Sequence, residues 1–210
     1  QDIINAGMKM NELGINQGTS GNISLRWEDG ILITPTGVPY EELNPDDICW
    51  QHLDGEVKGK REITSEWRFH NEIQRHRPDV NAVVHTHSNH ATALAIQEMG
   101  IPAIHYMVAA GGGPNIRCAP YATFGTQELA ENAVTALKNR SCCLLAHHGV
   151  IATGSSLSKA LWLASEVETI AKQYILILST GQKPKLLSDA EIERVRTKMS
   201  GYGLKTAKTS

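Results

Sequence analysis

Aromatic side chains are scarce: Phe, Trp and Tyr make up 5% of the 210 residues. A base-stacking surface for nucleic acid needs such rings at intervals, so that function is disfavoured. A surplus of one charge is missing as well. The 20 Lys and Arg stand against 22 Asp and Glu, and a net charge of −2 gives no electrostatic case for nucleic acid or an anionic membrane as partner. No uncharged run reaches the ~18 apolar residues of a membrane-crossing helix, and no Lys- or Arg-led apolar leader opens the chain. Cys49, Cys118, Cys142 and Cys143 form no C-x-x-C pair, and two of them are adjacent in an apolar run. That argues against a disulfide framework and a Cys-type zinc site, and it suits a reducing compartment, so the expected location is cytoplasmic. Neither G-x-x-x-x-G-K-[ST] nor G-x-G-x-x-G occurs, so a nucleotide is not indicated. What remains is an ordinary globular complement, 41% hydrophobic and 20% charged, of a length that suits one domain over residues 1–210.

Local patterns predict a mixed architecture. Residues 2–13 read as a helix already under way at Gln1, as though a few residues preceded it. The glycine-punctuated stretch from Gly14 to Asn22 must be a loop. Ile23-Ser-Leu-Arg-Trp27 and Ile31-Leu-Ile-Thr34, joined through Asp29-Gly30, predict a hairpin, and a second is expected over residues 48–57 around Asp54-Gly55. Helical spacing covers residues 65–77 and stops at Pro78. Residues 81–87 read as a strand, 91–99 as a helix, 103–110 as a strand and 127–139 as an amphipathic helix. Residues 141–153 read as one apolar strand carrying His147 and His148. A long helix over 157–179, apolar on more than one side, is expected to be buried. A last helix over 189–199 precedes the tail. The sum is a single α/β domain with a central mixed, largely antiparallel sheet flanked by helices.

Nine histidines are present, and several lie close together. On a strand, residues i and i+2 share a face, so His85 and His87 in Val84-His-Thr-His-Ser88 project together. Alone, that pair is better explained by backbone hydrogen bonding at a strand end. A second pair in Leu145-Ala-His-His-Gly149 shifts the balance, because two strand ends can bring three imidazoles to one ion, a set that suits Zn²⁺. Parity does not choose between His147 and His148, and His90 is a further competitor. The run His85-Thr-His-Ser-Asn-His90 approaches the H-x-H-x-D-H pattern of metallo-hydrolases, but Asn89 stands where an aspartate ligand is required. Three neutral imidazoles would leave the ion its full charge, suited to Lewis-acid stabilisation of an oxyanion.

Glu66 falls in the first turn of a predicted helix. Capping by Thr64 or Ser65 and a favourable helix dipole explain it locally; a proton-shuttling carboxylate beside the metal is the functional alternative. Three turns rich in glycine or hydroxyls, at residues 18–22, 34–37 and 64–65, could together present backbone N–H groups and hydroxyls to a phosphate. No lysine accompanies them, which points to a small sugar phosphate.

Taken in order, several long motifs carry a resemblance. They are Ile15-Asn-Gln-Gly-Thr-Ser-Gly-Asn22, Ile33-Thr-Pro-Thr-Gly-Val-Pro-Tyr40, Ser65-Glu-Trp-Arg-Phe-His70 and Ala82-Val-Val-His-Thr-His87, then Ile104-His-Tyr-Met107, Cys118-Ala-Pro-Tyr-Ala-Thr-Phe-Gly125 and His147-His-Gly149. Together they resemble the zinc-dependent class II aldolases of L-fuculose 1-phosphate, from about Gly14 to the tail. The resemblance implies one Zn²⁺ per subunit held by His85, His87, His148 and Glu66, with Glu66 also the acid/base. It implies phosphate binding by Asn22, Thr36, Gly37, Thr64 and Ser65, with Thr64 standing where serine is frequent. It further implies Tyr106 as a proton donor supplied by a neighbouring subunit, Phe124 and Tyr202 lining or covering the pocket, and a C4 homotetramer with sites between subunits. Aldolases of 5-deoxypentulose or methylthiopentulose 1-phosphates would use the same machinery. Ribulose-phosphate 4-epimerases carry an Asp-containing motif where Glu66 stands here, and adducin-type heads lack the full metal set.

Overall fold

In the computed structural model, which describes residues 1–200, the strands form one sheet. They are β1 (Asn22–Trp27), β2 (Gly30–Ile33), β3 (Cys49–His52), β4 (Val57–Lys58), β5 (Ala82–Thr86), β6 (Arg117–Ala119), β7 (Cys142–Leu145) and β8 (Gly149–Gly154). Their order is β4-β3-β2-β1-β5-β8-β7-β6, and every pairing is antiparallel except β6 with β7. The helices are α1 (Asp2–Glu12), α2 (Trp67–His76), α3 (Asn89–Ile96), α4 (Gln127–Ala136), α5 (Leu157–Ser179) and α6 (Asp189–Ser200). Among the described residues no helix is long and apolar enough to cross a membrane.

Strand alternation sorts the core into two layers. Ala82 and Val84 of β5, with Val150 and Ala152 of β8, join the core under α1, α3 and α5. Val83 and Ile151, one residue out of phase, join the core under α2 and α4. Each strand therefore feeds both layers, and β5 is buried along its whole length. Fully burying an aliphatic side chain such as Leu144 or Ile151 stabilises by roughly 1.5–3 kcal/mol. The same alternation puts His85 on the α2 side, next in phase after Val83, where Phe69 meets its ring edge-on at 5.2 Å.

Four expectations need correction. The run 103–110 is not a strand: Tyr106–Gly111 is a 3-10 helix, started by His105, whose Nδ1 accepts from the Met107 N–H, and ended by Gly112 at φ 90°. Its apolar character serves packing against α5 and α6 instead. The run 141–153 is two strands, because the chain reverses at residues 146–148 and pairs Leu145 with Gly149. The first hairpin turns through Glu28-Asp29, with Glu28 at φ 52°, while Gly30 already lies in β2. Finally, α5 buries one face through Ala160, Leu163, Val167 and Ile170, but Trp162 and Leu176 on its other side are exposed.

Candidate metal centre

Four side chains converge on the α2 side of the sheet: Glu66, His85, His87 and His148, whose nearest ligand-type atoms all lie within 4.8 Å of one another. They come from three separate parts of the chain. His85 is the penultimate residue of β5 and His87 lies just beyond the strand's end, on the shared face that parity requires. His148 sits in the turn between β7 and β8, not on a strand. That turn places His147 at φ 54° and closes with the His148 N–H donating to the Leu145 carbonyl at 3.0 Å. The left-handed residue aims His148 inward and leaves His147 exposed, 3.4 Å from Glu98. Gly149 completes the arrangement, since a Cβ there would collide with the Thr86 carbonyl oxygen and press on both His85 and His87.

Proton bookkeeping shows that these atoms fit a cation. His85 Nδ1 lies 2.9 Å from the Val150 carbonyl oxygen, which only accepts, so a neutral His85 carries its proton on Nδ1. Its Nε2 then offers a lone pair, yet it faces His87 Nε2 at 2.9 Å and the Glu66 carboxylate at 3.2 Å. The other carboxylate oxygen, Oε1, is buried and accepts no hydrogen bond, although His148 Nε2 is 3.0 Å away. Acceptors crowded around one point, with an orphaned buried oxygen among them, are what a divalent cation relieves. Burial would raise the Glu66 pKa, but the close approach of His85 and His148 outweighs it and holds the carboxyl far below its usual range. His87 is pushed down to about 4, by burial first and then by the neighbouring His85 and His148, so it is a neutral imidazole at neutral pH. No cysteine belongs to the cluster.

Glu66 stands at the N-cap position of α2 rather than inside its first turn, and its side chain makes no cap bond. It is held instead by Asn22, whose Nδ2 donates to Oε2 at 2.9 Å. Behind Asn22 lies a set of residues to which the sequence motifs attach no role. His70 Nε2 meets Asn22 Oδ1 at 2.6 Å, His70 Nδ1 meets Ser24 Oγ at 2.8 Å, and Gln74 Nε2 donates to Ser24 Oγ at 3.0 Å. All are buried. Further along β1, Arg26 donates to the carbonyls of Gln74, Arg77 and Val80 at the far end of α2. The alternation in Asn22-Ile-Ser-Leu-Arg26 was a signal of this: every second residue is polar although the strand is central in the sheet.

The hydroxyl-bearing turns are also brought together. Pro35 and Ile63 form an isolated bridge, with the Thr36 N–H donating to Glu62 and the Thr64 N–H to Thr34. Thr36, Gly37 and Ser65 are exposed, Thr64 is buried, and Gly37 has φ 69°. The Thr64 hydroxyl accepts from the Glu66 N–H at 3.4 Å, which ties this turn to the carboxylate. Gly125 packs on the Ser65 carbonyl and accepts from Arg68, so Phe124, 65% exposed, lies over the start of α2. Tyr106 is 51% exposed with its ring against His105 at 4.6 Å, and it is not one of the clustered residues. His90 is not one either; it bonds Glu168 of α5. Tyr202 lies outside the described residues.

The comparisons with known proteins agree with this geometry. Residues 1–175 match the family described as the class II aldolase and adducin N-terminal domain. The chain is 51% identical over 205 residues to the L-fuculose phosphate aldolase of Escherichia coli strain K12, covering 98% of this chain and 95% of that one. It is 50% identical over 201 residues to the 5-methylthioribulose-1-phosphate/5-deoxyribulose-1-phosphate aldolase of Rhodospirillum rubrum, covering 96% and 90%. A solved structure of an L-fuculose 1-phosphate aldolase superposes with a TM-score of 0.92 at 38% identity, over 95% of each chain. Sheet, cluster and sequence lead to one assignment: this chain belongs to the class II aldolase and adducin N-terminal domain family, and within it stands with the metal-dependent aldolases.

Proposed function

We propose that the protein cleaves L-fuculose 1-phosphate reversibly to dihydroxyacetone phosphate and L-lactaldehyde, with zinc as its metal. The observation that carries this reading is the cluster of Glu66, His85, His87 and His148, the first two buried and the last two half-buried, in a chain 51% identical to a protein of that name. Three neutral imidazoles and one carboxylate are a donor set that zinc favours. Zinc held there supplies a Lewis acid for the negative charge that develops on the ketose oxygens.

The residues of the chain do the rest. The turns at 34–37 and 62–65, together with the second N–H of Asn22, hold the phosphate through Thr36, Gly37, Thr64 and Ser65. In the synthetic direction Glu66 takes a proton from the carbon of dihydroxyacetone phosphate that becomes C3. The electron pair left on that carbon forms the bond to the aldehyde carbon, and Tyr106 gives its proton to the new alkoxide oxygen. Tyr106, exposed and outside the cluster, takes the role the family resemblance implies, serving the site of a neighbouring copy in a homotetramer. Phe124 and Tyr202 cover the aldehyde side. The whole chain acts as one cytoplasmic domain.

A second reading has its own support, because the methylthioribulose-type relative is nearly as similar at 50% identity. It keeps the chemistry and changes the aldehyde. The test is dihydroxyacetone phosphate release by the zinc-loaded protein from L-fuculose 1-phosphate and 5-deoxyribulose 1-phosphate, side by side, with a chelated control. Chelator-sensitive preference for the first supports the proposal; preference for the second replaces the substrate; cleavage of neither removes the aldolase assignment.

A further inference from the structure

His70 belongs to a long motif, yet nothing in the chemistry above uses it. It is fully buried, and both ring nitrogens are bonded. The roles along its contacts can be fixed from one end. The Glu66 carboxylate only accepts, so Asn22 must turn its NH₂ toward Oε2 and its carbonyl oxygen toward His70. That oxygen also only accepts, so His70 carries a proton on Nε2. In a neutral ring Nδ1 is then a lone pair, which takes the Ser24 hydroxyl proton, and Ser24 in turn accepts from Gln74. Every donor from Gln74 onward points toward the carboxylate, and no member can reverse without setting two acceptors face to face.

We propose that His70 is a positioning residue: by donating to Asn22 Oδ1 it locks the Asn22 amide in the one orientation that holds Glu66 Oε2, leaving Oε1 turned to His148. The proposal rests on the reading of Glu66 as acid/base. Without the His70 donor the carboxylate alone orients the Asn22 amide, and the buried Oδ1 loses its partner, so the amide is held less firmly against Glu66. Such supporting groups cost about 10–100-fold in activity or metal affinity when removed.

The test compares His70→Phe, which keeps a ring and loses both nitrogens, with His70→Gln, whose amide nitrogen reaches about as far as Nε2. Three quantities are read: kcat and KM on L-fuculose 1-phosphate, and zinc affinity of the metal-free protein against a chromophoric chelator. The expected result for His70→Phe is a kcat lower by about 10–100-fold, a KM within about threefold, and zinc affinity lower by about tenfold, with His70→Gln recovering most of each. A purely structural role would impair both variants alike, and that outcome overturns the proposal, as does parental kcat and zinc affinity in His70→Phe. Should His70→Phe fail to fold, Ser24→Ala removes the hydroxyl that bonds His70 Nδ1 and is expected to lower kcat by about 10-fold, the low end for such groups. Parental kcat in Ser24→Ala would overturn the relay. A Glu66→Gln control separates the two ideas. If it is inactive while His70→Phe is fully active, only the relay falls; if Glu66→Gln is active, the role of Glu66 falls first.

Discussion

The two faces of the sheet are built from the same strands and behave as opposites. Toward α1, α3 and α5 the strands present Ile23, Val84, Leu144 and Val150, an apolar layer in which packing alone matters. Toward α2 the neighbouring residues are Asn22, Ser24 and His85, buried as deeply but polar, each with an assigned partner. A shift of one residue along a strand moves a side chain from a layer that tolerates volume-conserving exchange to one where a lost donor leaves a buried acceptor unpaired, at about 1–3 kcal/mol. The chemistry thus lies on one side only, set into an apolar layer that includes Val83 and Ile151, while the other side serves packing alone, and substitutions should separate the two roles.

The largest separation is expected at Glu66. Glu66→Gln keeps the shape and the fold but cannot take a proton, so kcat should fall by about 10²–10⁴-fold while the melting curve of the zinc-loaded protein barely moves; a kcat within tenfold of the parent would remove its role. The mirror experiment is Leu144→Ala on the apolar face. It should lower stability by about 2–5 kcal/mol in urea titration and leave KM and kcat per folded molecule unchanged. A change in kcat there would show that the two faces are coupled.

Acid should distinguish the faces next. Burial pushes His70 down to about 3 and His87 to about 4, while both rings take protons near 6.5 when the chain is unfolded. Between those values the unfolded chain binds more protons, so stability of the metal-free protein must fall as pH falls below 6.5. The depressed Glu66 carboxyl adds in the same direction below 4.5. Scanning calorimetry of the metal-free protein should show a melting temperature lower by on the order of 5 °C at about pH 5 than at about pH 7, and His70→Phe should reduce that drop. The most local contrast lies within one turn. His148→Ala should weaken zinc binding by at least about 100-fold through loss of a ligand, whereas His147→Gly should leave it within about threefold. By relieving φ 54° at residue 147, His147→Gly should also stabilise by a few tenths of a kcal/mol, roughly the cost of a left-handed residue after the added freedom of glycine is subtracted. Equal zinc affinities in the two variants would remove His148 from the site.

Much of this was legible in the sequence, unevenly. The largely antiparallel α/β sheet follows from alternation and turn residues, and the convergence of His85 and His87 is legible because a strand fixes which residues share a face. The choice between His147 and His148 was beyond parity, because a turn and not a strand places them; the apolar run through both concealed the reversal. Residues 103–110 misled for a similar reason, since an apolar run without clear periodicity does not distinguish a strand from a short 3-10 helix packed on its neighbours. His70 stood inside a motif with no role, because its partners Asn22, Ser24 and Gln74 are distant in sequence, and only the pairing of β1 beside β5 under α2 brings them together.

One feature of β1 has the character of a gauge. Asn22, Ser24 and Arg26 fasten in turn to Glu66, to His70 with Gln74, and to the carbonyl end of α2. Two strand residues advance about 6.6 Å and four helix residues about 6 Å, so a two-step along β1 keeps pace with a four-step along α2. The two rulings coincide for the length of one short helix and then drift apart, which suits a helix of 10 residues. It follows that a single-residue insertion within either element would throw the fastenings on one side of it out of step with those on the other, so that strand and helix can lengthen or shorten only in their loops.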